Sequence, residues 1–237
     1  MKVFLGTKKD KVTVFAKEAL YKIFTDHYNK HILFLTSGGS SFRLLDALDN
    51  LPPYVSIGVL DERYSKDPKV NNFSQLTKTQ FYIRSEKRFE QILHTAVHAD
   101  ESLDSFSNRF EALMRGWKAQ FPDGIVVATL GMGKDGHISG IMPFPEDNVV
   151  FEKLFNNSRN WVVGYDVGNK NPYRYRVTTT LPFLRNEVDF AVAYITGEEK
   201  KDALDMCLAD DGEVNNIPAR VMHDMKNVTV FTDIETK

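Results

Sequence analysis

Gly124-Ile125-Val126-Val127-Ala128-Thr129-Leu130-Gly131-Met132-Gly133-Lys134-Asp135-Gly136-His137 is the stretch that decides how the rest of the chain is read. Its first half is a run of β-branched and small apolar residues opened by a glycine, which reads as a buried parallel strand. Its second half places three glycines in six positions, so the backbone turns tightly and approaches a ligand closely. Asp135 and His137 are set into that turn two residues apart. A carboxylate and an imidazole at the carboxyl end of a strand are placed for proton transfer near neutral pH. The competing reading is a polar connection that carries a surface histidine; glycine density and strand context favour a site.

Gly131, Gly133 and Gly136 also spell the G-x-G-x-x-G dinucleotide fingerprint, with Glu152 near the spacing of a ribose-binding acid. Charge argues against it, because Asp135 would set a carboxylate beside the pyrophosphate. Pro143 and Pro145 leave little room for the long helix that should follow.

The 237 residues can bury a substantial core, and 42% hydrophobic with 26% charged residues is ordinary globular composition. A formal net charge of −2 provides no broad basic field, so nucleic acid is not the expected partner, and an anionic ligand must be held by a few local cations. The single Cys207 excludes an intrachain disulfide and a cysteine-based metal cluster and fits a reducing compartment. No apolar run reaches membrane-spanning length and Met1 to Gly6 is too short for a signal peptide, so the expectation is a cytoplasmic protein without membrane contact.

Taken in order, Val3 to Leu5 reads as a strand and Lys8 to Tyr28 as an amphipathic helix. His31 to Thr36 is a second strand that runs into Ser37-Gly38-Gly39-Ser40-Ser41 and then a helix marked by Phe42, Leu44, Leu45 and Leu48. Strand, Gly-Ser loop and helix start present free N–H groups to an anion, and Ser40 or Ser41 as a simple N-cap fits equally well. Tyr54 to Leu60 is a third strand ending in Asp61-Glu62-Arg63; three charges there usually mean solvent, yet this is also the edge where open α/β sheets bind ligands. Asn71 and Asn72 lead into a short helix from Phe73 to Leu76, and Phe89 to Leu93 is a candidate strand. His94 and His98 have the spacing of a helical metal pair without an acidic partner motif and are read as structural. Ser102 to Lys118 is helical. Asn148 to Leu154 and Trp161 to Val167 are read as strands, Arg174 to Thr180 enters a helix at Leu181-Pro182, and Val188 to Thr196 is another strand. A helix from Lys201 to Leu208 and a strand from Val228 to Phe231 complete the chain. Strands alternating with helices predict one α/β domain over residues 1–237: a mainly parallel open sheet with helices on both faces, Rossmann-like in plan.

Four anchors, at Ser37 to Ser41, Asp61 to Arg63, Gly131 to His137 and Arg176 to Leu184, resemble the 6-phosphogluconolactonase and glucosamine-6-phosphate deaminase superfamily in the family's order. Thr196-Gly197-Glu198-Glu199-Lys200 is a fifth, so the resemblance spans about residues 33 to 205. It implies an α/β fold that acts on a sugar 6-phosphate without an obligatory cofactor or metal. The deaminases carry a glutamate near an Asn-Glu-Pro after this histidine; here Ile138-Ser139-Gly140-Ile141-Met142-Pro143 has Met142 in that place. Asp61-Glu62-Arg63 and Arg176-Val177-Thr178-Thr179-Thr180-Leu181-Pro182 look like the lactonase motifs. The chain departs at Phe42, where the family usually has proline, and at Gly140-Ile141-Met142.

The resemblance thus implies opening of 6-phospho-D-glucono-1,5-lactone in the oxidative pentose phosphate pathway. His137 would act as the base on water, with Asp135 orienting its ring and Asp61 as a further acid–base group. Backbone N–H groups at Gly38, Gly39 and Ser40 are candidate donors to the oxyanion and substrate. Arg63, Arg176 and Lys200 are the cations that the resemblance assigns to the phosphate. The alternatives are the isomerising deaminase and a non-catalytic sugar-phosphate-binding protein on the same fold.

Overall fold

The structure, a computed structural model, describes residues 1–48 and 51–236. Strand β1 (Lys2–Leu5) is followed by helix α1 (Lys9–Asp26), β2 (Ile32–Thr36) and a 3₁₀ helix over Gly39–Ala47. Next come β3 (Val55–Val59), β4 (Asp61–Arg63), α2 (Asn72–Leu76), α3 (Gln80–Ser85), α4 (Leu103–Gln120) and β5 (Ile125–Leu130). The rest is α5 (Asn148–Phe151), β6 (Val162–Asp166), β7 (Tyr175–Thr179), α6 (Leu181–Asn186), β8 (Val188–Ile195), α7 (Lys201–Leu208) and β9 (Val228–Thr232).

Six strands form one sheet in the order β1-β9-β8-β5-β2-β3, every pair parallel. All residues of β2 and β3 are buried, so both faces of that part are covered, as the apolar runs in the sequence require. From β2 the chain moves outward to β3, and from β5 it moves the other way to β8. The loops after β2 and β5 therefore diverge at neighbouring strand ends, which is where open α/β sheets form a ligand crevice. Buried apolar side chains from α1, both sheets and α4 join in one contiguous cluster.

A second sheet, β4-β7-β6, is antiparallel and covered by α4. Nothing in the apolar pattern of the chain separates it from the first. Asp61-Glu62-Arg63 leaves the end of β3 as its own strand, in register with Thr178, Val177 and Arg176. The charged triplet is thus built into a sheet, with Asp61 and Glu62 buried.

Three other expectations are corrected. Asn148 to Leu154 is helical, continuing as a π turn over Glu152–Asn156: Asp147 caps the first turn, accepting from the Val150 N–H at 2.9 Å, and Phe151 and Phe155 pack with Phe144 and Tyr165. Packing at helical spacing overrides the strand preference of Val149 and Val150. Phe89 to Leu93 runs beside β3 through bonds such as Leu93 N–H to Ile57 O (2.8 Å) but forms only an isolated bridge. Gly38, rather than Ser40 or Ser41, occupies the N-cap of the 3₁₀ helix, and no side chain caps it; Ser41 Oγ instead donates back to the Ser37 carbonyl at 2.5 Å.

Candidate active site

The loop after β5 closes on itself. The Gly136 N–H donates to Gly133 O and the Gly133 N–H to His137 O, both at 3.0 Å. Inside this turn His137 Nδ1 lies 2.6 Å from Asp135 Oδ1. Position 133 has to be glycine, because a Cβ there would sit 2.1 Å from His137 Nδ1 and 2.5 Å from Asp135 Oδ1. Partial burial raises the Asp135 carboxyl, but the hydrogen bond and charge of His137 outweigh it and hold the group below its ordinary value. An ionised Asp135 assigns the ring proton to Nδ1, which leaves Nε2 as the basic atom of an imidazole that lines the cleft.

The neighbouring loop is fixed to this one. Ser37 Oγ donates to Thr129 O at 2.8 Å, tying the end of β2 to the end of β5. Gly38, Gly39 and Ser40 follow at the start of the 3₁₀ helix, where the leading N–H groups have no partner within the helix. They line the same cleft, which measures about 190 Å³.

The opposite wall comes from the small sheet. Asp61 Oδ2 accepts from Arg176 NH2 at 2.8 Å, with side chains 7% and 5% exposed. Arg63 stands directly across the β4–β7 ladder from Arg176, donates from NH1 to Val70 O at 3.0 Å, and lies over the Tyr173 ring. Glu62 points away from the cleft, where its two carboxylate oxygens accept from Asn71 Nδ2, the N–H groups of Asn72 and Phe73, and Thr95 Oγ1. Burial pushes Glu62 well above the usual carboxylate range, against the pull of those donors. Its network holds the chain after β4 in place, so that Asn72 reaches the cleft and donates to Asp61 O at 2.9 Å.

His137, Asp61, Gly38, Gly39, Ser40, Arg63 and Arg176 thus converge on one cleft, with Asp135 behind His137. Lys200 does not line it. That residue closes the turn after β8, where burial holds its ammonium below the usual lysine value and Glu199, Asp233 and Lys9 are its charged neighbours. Asn72 and Ser139 line the cleft and were not singled out as site residues from sequence. Ser139 is the one non-glycine residue with positive φ (47°) among the described residues. Its Oγ, Asn72 Oδ1, and the Nε atoms of Arg63 and Arg176 are buried without a hydrogen-bond partner among the described residues. The Asn71-Asn72 doublet after the charged strand was the available signal for Asn72; the turn at Ser139 has no counterpart in composition or periodicity.

Two features bear on the deaminase alternative. Met142 is buried in the core, 1% exposed. Glu146 is exposed and paired with Lys170, outside the cleft.

The family model for glucosamine-6-phosphate isomerases/6-phosphogluconolactonase matches residues 10–231. A probable 6-phosphogluconolactonase of Dictyostelium discoideum is 25% identical over 177 residues, which is 73% of this chain and 69% of that protein. Among solved structures, the 6-phosphogluconolactonase of Plasmodium vivax superposes with a TM-score of 0.74 at 14% identity, covering 99% of this chain and 91% of the other. That of Shewanella baltica gives 0.73 at 21% identity, over 98% and 96%. The fold is shared with these enzymes, and the match along 222 positions carries the assignment further: the chain belongs to the glucosamine-6-phosphate isomerase/6-phosphogluconolactonase family.

Proposed function

We propose that the protein hydrolyses 6-phospho-D-glucono-1,5-lactone to 6-phosphogluconate, as a single sugar-phosphate-binding domain. The observation that carries this reading is the Asp135–His137 pair facing two arginines across one cleft, general base on one wall and anion-binding charge on the other. Water held at His137 Nε2 loses its proton as its oxygen bonds to the lactone carbonyl carbon. The carbonyl becomes an oxyanion beside the N–H groups of Gly38, Gly39 and Ser40. Collapse breaks the bond from that carbon to the ring oxygen, which takes the proton from the imidazolium. Asp135 stabilises the charged ring in between.

Arg63 is the primary phosphate cation in this scheme, since no carboxylate pairs with it among the described residues. Arg176 comes already neutralised by Asp61 and serves chiefly to shape the wall; Asp61, bound to it, is not the acid–base group. Lys200 stands outside the cleft, half-buried among Glu199, Asp233 and Lys9, and has no part in this scheme. The buried Cys207 thiol and the absence, among the described residues, of a helix long and apolar enough to cross a membrane are in keeping with a cytoplasmic enzyme.

The test is the loss of freshly prepared 6-phosphogluconolactone followed against its spontaneous opening. Acceleration with 6-phosphogluconate as the product is expected, and no ammonia should be released from glucosamine 6-phosphate. Opening no faster than in buffer overturns the proposal.

A further inference from the structure

The loop joining β6 to β7 carries Tyr173, whose ring packs on Arg63 in a hollow beside the cleft that also takes in Tyr64, Val70 and Tyr175; Arg63 borders both. The ring lies 4.9 Å from the guanidinium carbon of Arg63, while the side chain itself is 40% exposed and belongs to no core. The loop that carries it is pinned at several points. Arg174 grips Asp166 through Nε and NH2 at 2.7–2.9 Å, and Asn171 Oδ1 accepts from the Tyr173 N–H at 3.0 Å. Lys170 Nζ donates to Pro143 O at 2.7 Å and lies 3.7 Å from the Phe144 ring, which ties the loop to the segment that follows the His137 turn.

Arg63 needs such a restraint. It stands directly across the antiparallel ladder from Arg176, which already holds the neighbouring carboxylate of Asp61, so no ion pair fixes Arg63 among the described residues. A carboxylate would hold it in place but would also cancel its charge, as Asp61 does for Arg176. The carbonyl of Val70 and the face of an aromatic ring hold a guanidinium and leave its net charge intact.

We propose that Tyr173 is a positioning residue for phosphate recognition: its ring fixes the Arg63 guanidinium at the cleft wall while leaving the charge for the substrate's phosphate. The choice of substrate rests on the lactonase reading above; the contact itself does not.

The test compares Tyr173→Ala, Tyr173→Leu and Tyr173→Phe with the wild type. Turnover is measured on phosphorylated and unphosphorylated gluconolactone, and binding of 6-phosphogluconate and gluconate by calorimetry. Loss of one cation–π contact at so exposed a ring should weaken 6-phosphogluconate binding and raise KM for the phosphorylated lactone roughly 2- to 5-fold. The value of kcat and both constants for the unphosphorylated compounds should hold. Tyr173→Phe should match the wild type, because the ring and not the hydroxyl makes the contact, and Tyr173→Leu should behave as Tyr173→Ala. Leucine performing as well as phenylalanine, an equal loss on both substrates, or no loss at all overturns the proposal. A wild type that binds 6-phosphogluconate and gluconate alike overturns it too. If the wild type shows no turnover yet discriminates the two acids, and Tyr173→Ala lessens that discrimination by the same factor, the lactonase reading fails and the role of Tyr173 stands.

Discussion

Two pairs, each a carboxylate joined to a basic side chain, flank the cleft, and they are built to opposite ends. On the loop after β5, Asp135 and His137 meet at 2.6 Å with side chains 39% and 30% exposed. On the small sheet, Asp61 and Arg176 meet at 2.8 Å with side chains 7% and 5% exposed. The distances are alike; the solvent is not. A pair that water reaches costs little to open and can pass a proton in each cycle, whereas a pair removed from water is held by the cost of leaving either charge alone. Under the proposed function, this contrast gives proton transfer to the loops of the parallel sheet and a fixed electrostatic wall to the antiparallel one.

His137→Ala is the strongest test of that division. A general base contributes ~10²–10⁴-fold, so kcat for the phosphorylated lactone should fall by about that much while 6-phosphogluconate binding and the urea midpoint stay near wild type. A folded variant with near-normal turnover would remove His137 from its role and the division with it.

Asp61→Ala tests the other side, and its main effect should be on stability rather than turnover per folded molecule. Removing one member of a buried pair costs about 3–5 kcal/mol, mostly because the remaining charge is stranded. Urea unfolding should show it as a lower midpoint at unchanged slope. The double variant Asp61→Ala/Arg176→Met, which leaves no stranded charge, should recover much of that loss. If the single and double variants unfold alike, the pair is not acting as a buried clamp.

Sequence legibility follows the same line. The parallel sheet was readable because its strands are buried on both faces, so apolar runs such as Ile125 to Thr129 announce themselves, and because its loops are rich in glycine. The His137 turn and Gly38 to Ser40 were located from those signals together with the family resemblance. The antiparallel sheet was not readable as a sheet. Its first strand is three charged residues, and what makes Asp61 and Glu62 tolerable there is Arg176, Asn71, Thr95 and two backbone N–H groups up to 115 positions away. No local pattern encodes partners at that separation. Lys200 shows the converse limit, because a motif match placed it at the site and the turn after β8 does not bring it to the cleft.

Arg63→Ala sharpens the comparison within the small sheet. Hydrogen bonds to a charged group are worth about 1.5–3 kcal/mol, or roughly 10- to 100-fold in affinity. That loss should be seen on phosphorylated lactone alone, with almost no change in the urea midpoint, since no buried carboxylate is stranded. Its cross-strand partner Arg176 should do the reverse on truncation, losing stability first and affinity second. Equal losses on both lactones for Arg63→Ala would mean that it does not read the phosphate.

The smallest expected effect concerns the exposed pair and has a definite sign. The Asp135 carboxyl is depressed in the folded chain, chiefly because the His137 hydrogen bond and charge overcome its partial burial. A depressed carboxyl binds protons less readily when folded than when unfolded. It therefore adds stability above the unfolded value, about 3.9 for aspartate, and loses that contribution as pH falls through the lower folded value. The loss falls on the acid side of about pH 4. Asp135→Asn should flatten the pH dependence of the urea midpoint there and nowhere else, by less than about 1 kcal/mol because solvent screens so exposed a pair. Its effect on turnover should be larger than on stability, since an amide cannot hold the ring proton at Nδ1 as a carboxylate does or stabilise the imidazolium. A variant that loses several kcal/mol at neutral pH would show that the Asp135–His137 pair is a structural clamp like its buried counterpart, and the contrast between the two walls would collapse.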